Sequence, residues 1–134
     1  MPSDSVEIPW PVPTGIACGV IISLAISLTN ILTDAQGHAV LVAAIATPYL
    51  AFALLDGSTR SVALETTVLV AFTTAAFIVF DATAWVVAAV LASHAAWDVA
   101  HERFRITDRV GDYPVWCAAL DLSAAGTLIA VSAL

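Results

Sequence analysis

Hydrophobic residues gather in five long blocks, running approximately from Gly15 to Leu32, Ala39 to Leu55, Val62 to Phe80, Ala84 to Ala100 and Val115 to Leu134. Each is about 17–20 residues long, enough for a helix rising about 1.5 Å per residue to cross a hydrocarbon core of about 30 Å. Backbone N–H and C=O groups find no water in lipid, so helices are the expected structure of all five. The pattern predicts an all-α integral membrane bundle, five transmembrane helices in one domain spanning residues 1–134. The second block has ragged ends and holds Pro48. Pro in a membrane helix more often kinks it than ends it, so four spans are kept as the alternative.

Residues 1–13, MPSDSVEIPWPVP, are acidic and Pro-rich, where a cleavable signal peptide would begin basic. They are expected to lie at the interface as a tail, with Trp10 among the headgroups. Composition strengthens the membrane reading. Of 134 residues 60% are hydrophobic and 11% charged, against roughly 25% charged in soluble domains. So few charges cannot wet a globule, and lipid must cover it instead.

All four basic residues are Arg: Arg60, Arg103, Arg105 and Arg109. With five spans, the Arg60 loop and the loop from His101 to Tyr113 fall on one side, and an excess of basic residues marks the cytoplasmic side. The expected localisation is a multi-pass protein of the cell membrane, N-terminus cytoplasmic and C-terminus external. A formal net charge of −7 leaves no basic surface for phosphates, so nucleic acid is not an expected partner. The chain has no Lys, which excludes a Schiff base to retinal or pyridoxal phosphate within it.

Along the first helix, Gly15, Gly19, Ser23 and Ser27 recur every four residues. Such a stripe lets backbones approach closely in lipid. It is expected to dock another helix of the same chain, with a homo-oligomer as the other use. Thr66, Thr67, Thr73 and Thr74 suit hydrogen bonds back to their own helix, and Asp81 or Thr83 suits an N-cap of the fourth helix. Asp34 and His38 read as solvated in the first external loop. Cys18 and Cys117 form no CxxC motif and read first as small apolar packing residues, with a redox pair or metal ligation as the alternative.

The chemistry-bearing segment is Ser93-His94-Ala95-Ala96-Trp97-Asp98-Val99-Ala100-His101-Glu102. His94, Asp98 and His101 stand at i, i+4 and i+7 on one helix face. Polar stripes inside a span are costly, and they face the bundle interior and take partners there. Asp121, about six residues into the fifth helix, and Glu65, near the start of the third, fall at the same depth. Asp56 closes the second helix on that side, whereas the outer half is almost purely apolar. Candidate catalytic residues are therefore His94, Asp98, His101, Asp121 and Glu65.

His94, Asp98, His101 and Asp121 are the candidate ligands of a divalent transition metal, in the manner of helix bundles whose ligands come from facing helices. The pattern is neither HExxH nor the Glu and Glu-x-x-His set of di-iron bundles. His94 and His101 are also separated by about 10 Å of helical rise, far for one ion. A structural network, with His94 bonded to Asp121 or Glu65 and His101 marking the wet helix end, is the plainer alternative. Haem is disfavoured, because His38 belongs to the opposite side.

The run Tyr49-Leu50-Ala51-Phe52-Ala53-Leu54-Leu55-Asp56-Gly57, then Glu65, then His94 to His101, then Pro114 to Asp121, resembles an uncharacterised family of small prokaryotic multi-span membrane proteins. The resemblance covers roughly the last two-thirds of the chain. Its most specific part is the His-x-x-Trp-Asp-x-x-His element, and the sequence departs from the family near Pro114, where more Pro and Tyr are expected. The family implies no activity, only that these four segments form one unit.

These observations lead to three functional expectations. The first is a membrane enzyme, metal-dependent or acid–base, with a polar site in the cytoplasmic half and an apolar or lipid-like substrate. The second is a proton-coupled or metal-ion transporter, which needs a polar path that Asn30, Asp34 and His38 barely supply. The third is a structural subunit of a membrane complex.

Overall fold

The computed structural model describes residues 10–134. Residues 1–9, most of the expected interfacial tail, lie outside that range, and residues 11–13 already belong to the first helix. The helices are α1 (Pro11–Thr29), α2 (Asp34–Asp56), α3 (Thr59–Ile78), α4 (Ala84–Phe104) and α5 (Tyr113–Ser132), with a short 3-10 turn at Asp108–Val110 between the last two. No strand occurs among the described residues. The fold is an all-α helical bundle.

Helices α1, α2, α3 and α5 are long and apolar enough to cross a membrane. The sequence pattern made the second block the weak one. Instead α2 runs unbroken through Pro48 for 23 residues, and α4 is the helix that falls short on composition. It is as long as the others, at 21 residues, but His94, Asp98, His101 and Glu102 interrupt its apolar run. The first three are buried, so the face α4 keeps outward is still apolar.

Short connections with the expected chemistry separate the helices. Thr33 begins α2 with a capping box: its hydroxyl accepts from the Gln36 N–H, and the Gln36 side chain accepts from the Thr33 N–H. Gly57 ends α2 at φ 75°, a left-handed conformation open to glycine. Ser58 caps α3 by accepting from the Ser61 N–H. At the start of α4 the expected side-chain cap is not made. Thr83 holds the N-cap position without a side-chain bond, and Asp81 instead accepts from Gln36 Nε2 at 2.8 Å, tying the α3–α4 loop to the start of α2. Thr66 and Thr67 donate to the carbonyls of Val62 and Ala63 in their own helix.

α5 packs most extensively, along α1 on one side and α4 on the other, while α2 packs on α3 and α4. The glycine end of the small-residue stripe of α1 faces α5, whereas Ser23 faces α2. A Cβ on Gly15 would press on the Trp116 carbonyl and Ala119, and one on Gly19 would press on Ser123 and the Leu120 carbonyl. His38, expected in a solvated loop, is fully buried in α2. Its Nε2 meets the Ser23 hydroxyl at 2.8 Å and its Nδ1 meets the Asp34 carbonyl at 2.7 Å, so it pins α2 to α1. The core of that half is apolar, built from Val42, Val87, Leu91 and Leu128. Leu28, Phe77, Ile78 and Trp85 are exposed on the outside, as a lipid-facing surface requires.

Replacing Gly19 by Leu is expected to destabilise the bundle by about 1–3 kcal/mol through overpacking against α5. Nothing lies within reach of a Cβ on Gly126, so Gly126→Ala should melt no lower than the wild type. Thermal melts in detergent, followed by loss of the monodisperse peak, check both.

Candidate functional site

The polar stripe of α4 turns inward and takes a partner from each of three helices. His94 Nδ1 lies 2.7 Å from Asp121 Oδ2 on α5 and 3.5 Å from Asp98 Oδ2 one turn along α4. The Tyr49 hydroxyl on α2 donates to Asp98 Oδ1 at 2.5 Å. His101 Nε2 lies 2.7 Å from Glu65 Oε1 on α3. His94, Asp98 and Asp121 are completely buried, and Glu65, His101 and Tyr49 are 1% exposed. A charge at such depth is costly unless paired and hydrogen-bonded.

Aromatic rings wall these groups. Tyr49 stacks on His101 with centroids 4.1 Å apart, Phe72 meets His94 edge-on at 4.8 Å, and Trp97 meets His101 edge-on at 5.2 Å. Tyr113 abuts Tyr49 and donates to the Ile45 carbonyl at 3.2 Å. Tyr49 is thus the hinge of the arrangement, its hydroxyl on Asp98 and its ring on His101.

The polar residues separate into two groups. His94, Asp98, Cys117 and Asp121 each offer a ligand atom, and these atoms lie within 4.8 Å of one another. His101 is not among them. It belongs with Glu65, about two helical turns further along α4, and Cys117 stands where His101 was expected. Cys117 sits one turn before Asp121, on the same face of α5. That i, i+4 spacing was visible in the sequence, but an isolated Cys in an apolar helix reads first as packing. Tyr49 gave less warning, since a Tyr after a helical Pro has no motif.

Several of these buried atoms lack a hydrogen-bond partner: His94 Nε2, Asp98 Oδ2, Asp121 Oδ1, both carboxylate oxygens of Glu65 and both ring nitrogens of His101. Glu65 and His101 are close without the alignment of a hydrogen bond. Unsatisfied buried polar atoms are rare and call for a physical reason. Within the pair of Glu65 and His101, facing atoms 2.7 Å apart are both among them, so a shared proton would satisfy both, and Asp98 Oδ2 belongs to the four grouped ligand residues. Imidazole, thiolate and carboxylate together suit zinc or a neighbouring transition metal better than magnesium or calcium.

Asp56 stays outside the site. It lies 3.8 Å from Arg109 and links the end of α2 to the α4–α5 loop; the Ser61 hydroxyl reaches the Ile106 carbonyl in the same loop. His101 is not at the wet end of α4, whereas Glu102 beside it is exposed. Cys18 is partly buried and unbridged.

Two openings reach the polar residues. An apolar groove of about 590 Å³ runs between α1, α4 and α5, and Asp98 and Glu102 are the charged residues in its wall. A smaller polar hollow of about 260 Å³ under the α4–α5 loop is lined by His101, Glu102, Arg105, Thr107, Asp108 and Asp112 among others. No protein-family model matches this chain, and no curated protein or solved structure matches it either.

Tyr49→Phe should remove the one hydrogen bond to Asp98 Oδ1 and leave that oxygen buried without a partner. The expected cost is about 1–3 kcal/mol, read as a lower unfolding midpoint in detergent. Leu54→Ala, on the exposed face of α2, should melt close to the wild type.

Proposed function

We propose that this protein is a membrane-embedded enzyme whose site, built on His94, Asp98, Cys117 and Asp121, holds a divalent transition metal and acts on an apolar or lipid-like substrate. The observation that carries this reading is the convergence of four fully enclosed ligand residues, three of which (His94, Asp98 and Asp121) keep a polar atom without a partner. His94, Cys117 and Asp121 would hold the ion. Asp98, held by Tyr49, would keep its second oxygen for proton transfer at the substrate. A bound ion of this class supplies Lewis-acid polarisation and lowers the pKa of a coordinated water. Glu65 and His101, beside the polar hollow, would pass protons between the site and water.

The buried apolar residues Val42, Val87, Leu91 and Leu128 support an enzyme over a transporter, because His38 and Ser23 are the buried polar side chains described in that half and they bond each other. Purely structural pairing would leave fewer unsatisfied atoms. The Arg-bearing loops would face the cytoplasm, which places the N-terminus inside and the site in the inner half of the bilayer. Membership of the prokaryotic family that the sequence resembles is part of the same reading.

Elemental analysis of protein purified without chelators should find about one transition-metal ion per chain. Cys117→Ser and Asp121→Asn should lower that content, and Glu65→Gln should retain it. If neither fresh nor reloaded wild-type protein holds metal, the metal site is wrong and a proton-sharing network takes its place. For topology, an impermeant thiol reagent on intact cells should label Asn30→Cys and spare Thr59→Cys. The reverse pattern would invert the orientation.

A further inference from the structure

We infer that the groove between α1, α4 and α5 is the lateral entry and binding site for a long-chain amphiphile with a non-anionic, hydrogen-bond-donating head, of the long-chain alcohol or amine class. This deepens the proposed function and rests on it for the identity of the reacting centre.

The groove has the size of ligand pockets in general, about 590 Å³ against roughly 300–1,000 Å³. Its floor is α5, at Pro114, Val115, Ala118 and Ala119, where small side chains leave room. Its walls are Val12 and Ile16 of α1 and Val99 of α4. Ile16, Val99 and Leu122 on its rim are 46%, 58% and 57% exposed, so the groove opens sideways onto the acyl chains rather than onto water. α1 and α4 both pack on α5, and the space between them stays free because they scarcely pack on each other. From Pro114 to Ser123 the floor runs along about 14 Å of helix, the reach of an extended alkyl chain.

The head position follows from charge. Asp98 is the buried polar residue of the wall, and Glu102 stands at the lip toward the loop. Among the described residues no basic one lines the groove. A divalent ion held by His94, Cys117 and Asp121 would not reverse this sign, since the two carboxylates of Asp98 and Asp121 and the Cys117 thiolate together outweigh its charge. An anionic head would therefore be repelled in a low-dielectric setting where repulsion is strong, and a hydroxyl or ammonium would find its acceptor in the exposed Glu102 at the lip, with the enclosed Asp98 carboxylate adding negative potential behind the wall. Glu102 also lines the polar hollow, so the head would meet water there while the chain stays in lipid.

The test is photolabelling of the full chain in phosphatidylcholine nanodiscs. The probe is a long-chain primary alcohol carrying a diazirine in its tail, and cross-links are mapped by mass spectrometry. Cross-links should concentrate at Val115, Ala118, Ala119 and Leu122. Ala118→Phe, which fills the floor, should cut labelling there by about tenfold, with folding checked by helicity and monodispersity. The same chain ending in a phosphate monoester should label the groove about tenfold less. Equal or stronger labelling by the phosphate would overturn the head-group assignment. Labelling spread evenly over the lipid-facing surface, including Phe77 and Ile78 on α3, would overturn the groove itself, and the wild-type map alone decides that point. Metal content of the same samples separates the two readings. Metal-free protein that still labels in the groove supports the binding site and removes the metal chemistry, whereas metal-loaded protein with even labelling does the opposite.

Discussion

An ionisable side chain inside a bilayer must find a partner within the protein, and in this bundle α4 brings three of them on one face. That requirement decides how the helices surround it. His94 reaches Asp121 on α5, Asp98 takes the Tyr49 hydroxyl from α2, and His101 lies against Glu65 on α3. One stripe thus fixes three neighbours of α4 at one end of the bundle. Breaking any of these links strands a buried polar group, which is far costlier than loss of an exposed ion pair. The other end is held differently, by close apolar packing and the His38–Ser23 contact, and α1 is held by backbone approach at Gly15 and Gly19. Polar pairing and small-residue packing divide the fold between them.

Much of this was legible before the structure. Helix count and helical class follow from block length and from the absence of water in lipid, while four of the five helices are apolar enough to span. The inward stripe of α4 follows from the i, i+4, i+7 spacing, whereas Asp121 and Glu65, expected at one depth, meet the stripe about two turns apart, at His94 and His101. What the sequence concealed depends on which helix meets which. His38 looked like a loop residue because α2 begins earlier than its apolar block, at Asp34. Cys117 and Tyr49 became polar partners only once α5 and α2 were set against α4. Pairing between helices is not periodic, so no spacing rule within one helix can state it.

The division into two groups has a physical origin. His94 and His101 share a face, yet the rise between them is too great for one centre to use both. Tyr49 fills the interval, hydroxyl toward Asp98 and ring toward His101. A flat aromatic ring excludes water between the groups while joining them mechanically, so each retains its own surroundings. The inner group is sealed among helices, and the outer one borders the polar hollow under the α4–α5 loop. Both groups are enclosed, and what distinguishes them is that His101 of the outer one lines that hollow.

Supply of donors within the site points the same way. Asp98, Asp121 and Glu65 present six carboxylate oxygens, whereas the partners brought to them are one phenol and two imidazoles. Even with both imidazoles protonated, acceptors outnumber the donors aimed at them, and several oxygens stay without a bond. A bundle selected only for cohesion would do better with an apolar residue in place of one acid, since buried ion pairs are often no more stabilising than hydrophobic packing. Retaining three acids at this depth makes sense if something positively charged completes the set, as a proton or as a metal ion. Cys117 tips that choice. A thiol is a weak hydrogen-bond donor but, once deprotonated, a strong ligand for a soft or borderline cation. Its place among two carboxylates and an imidazole is what the proposed metal site would require.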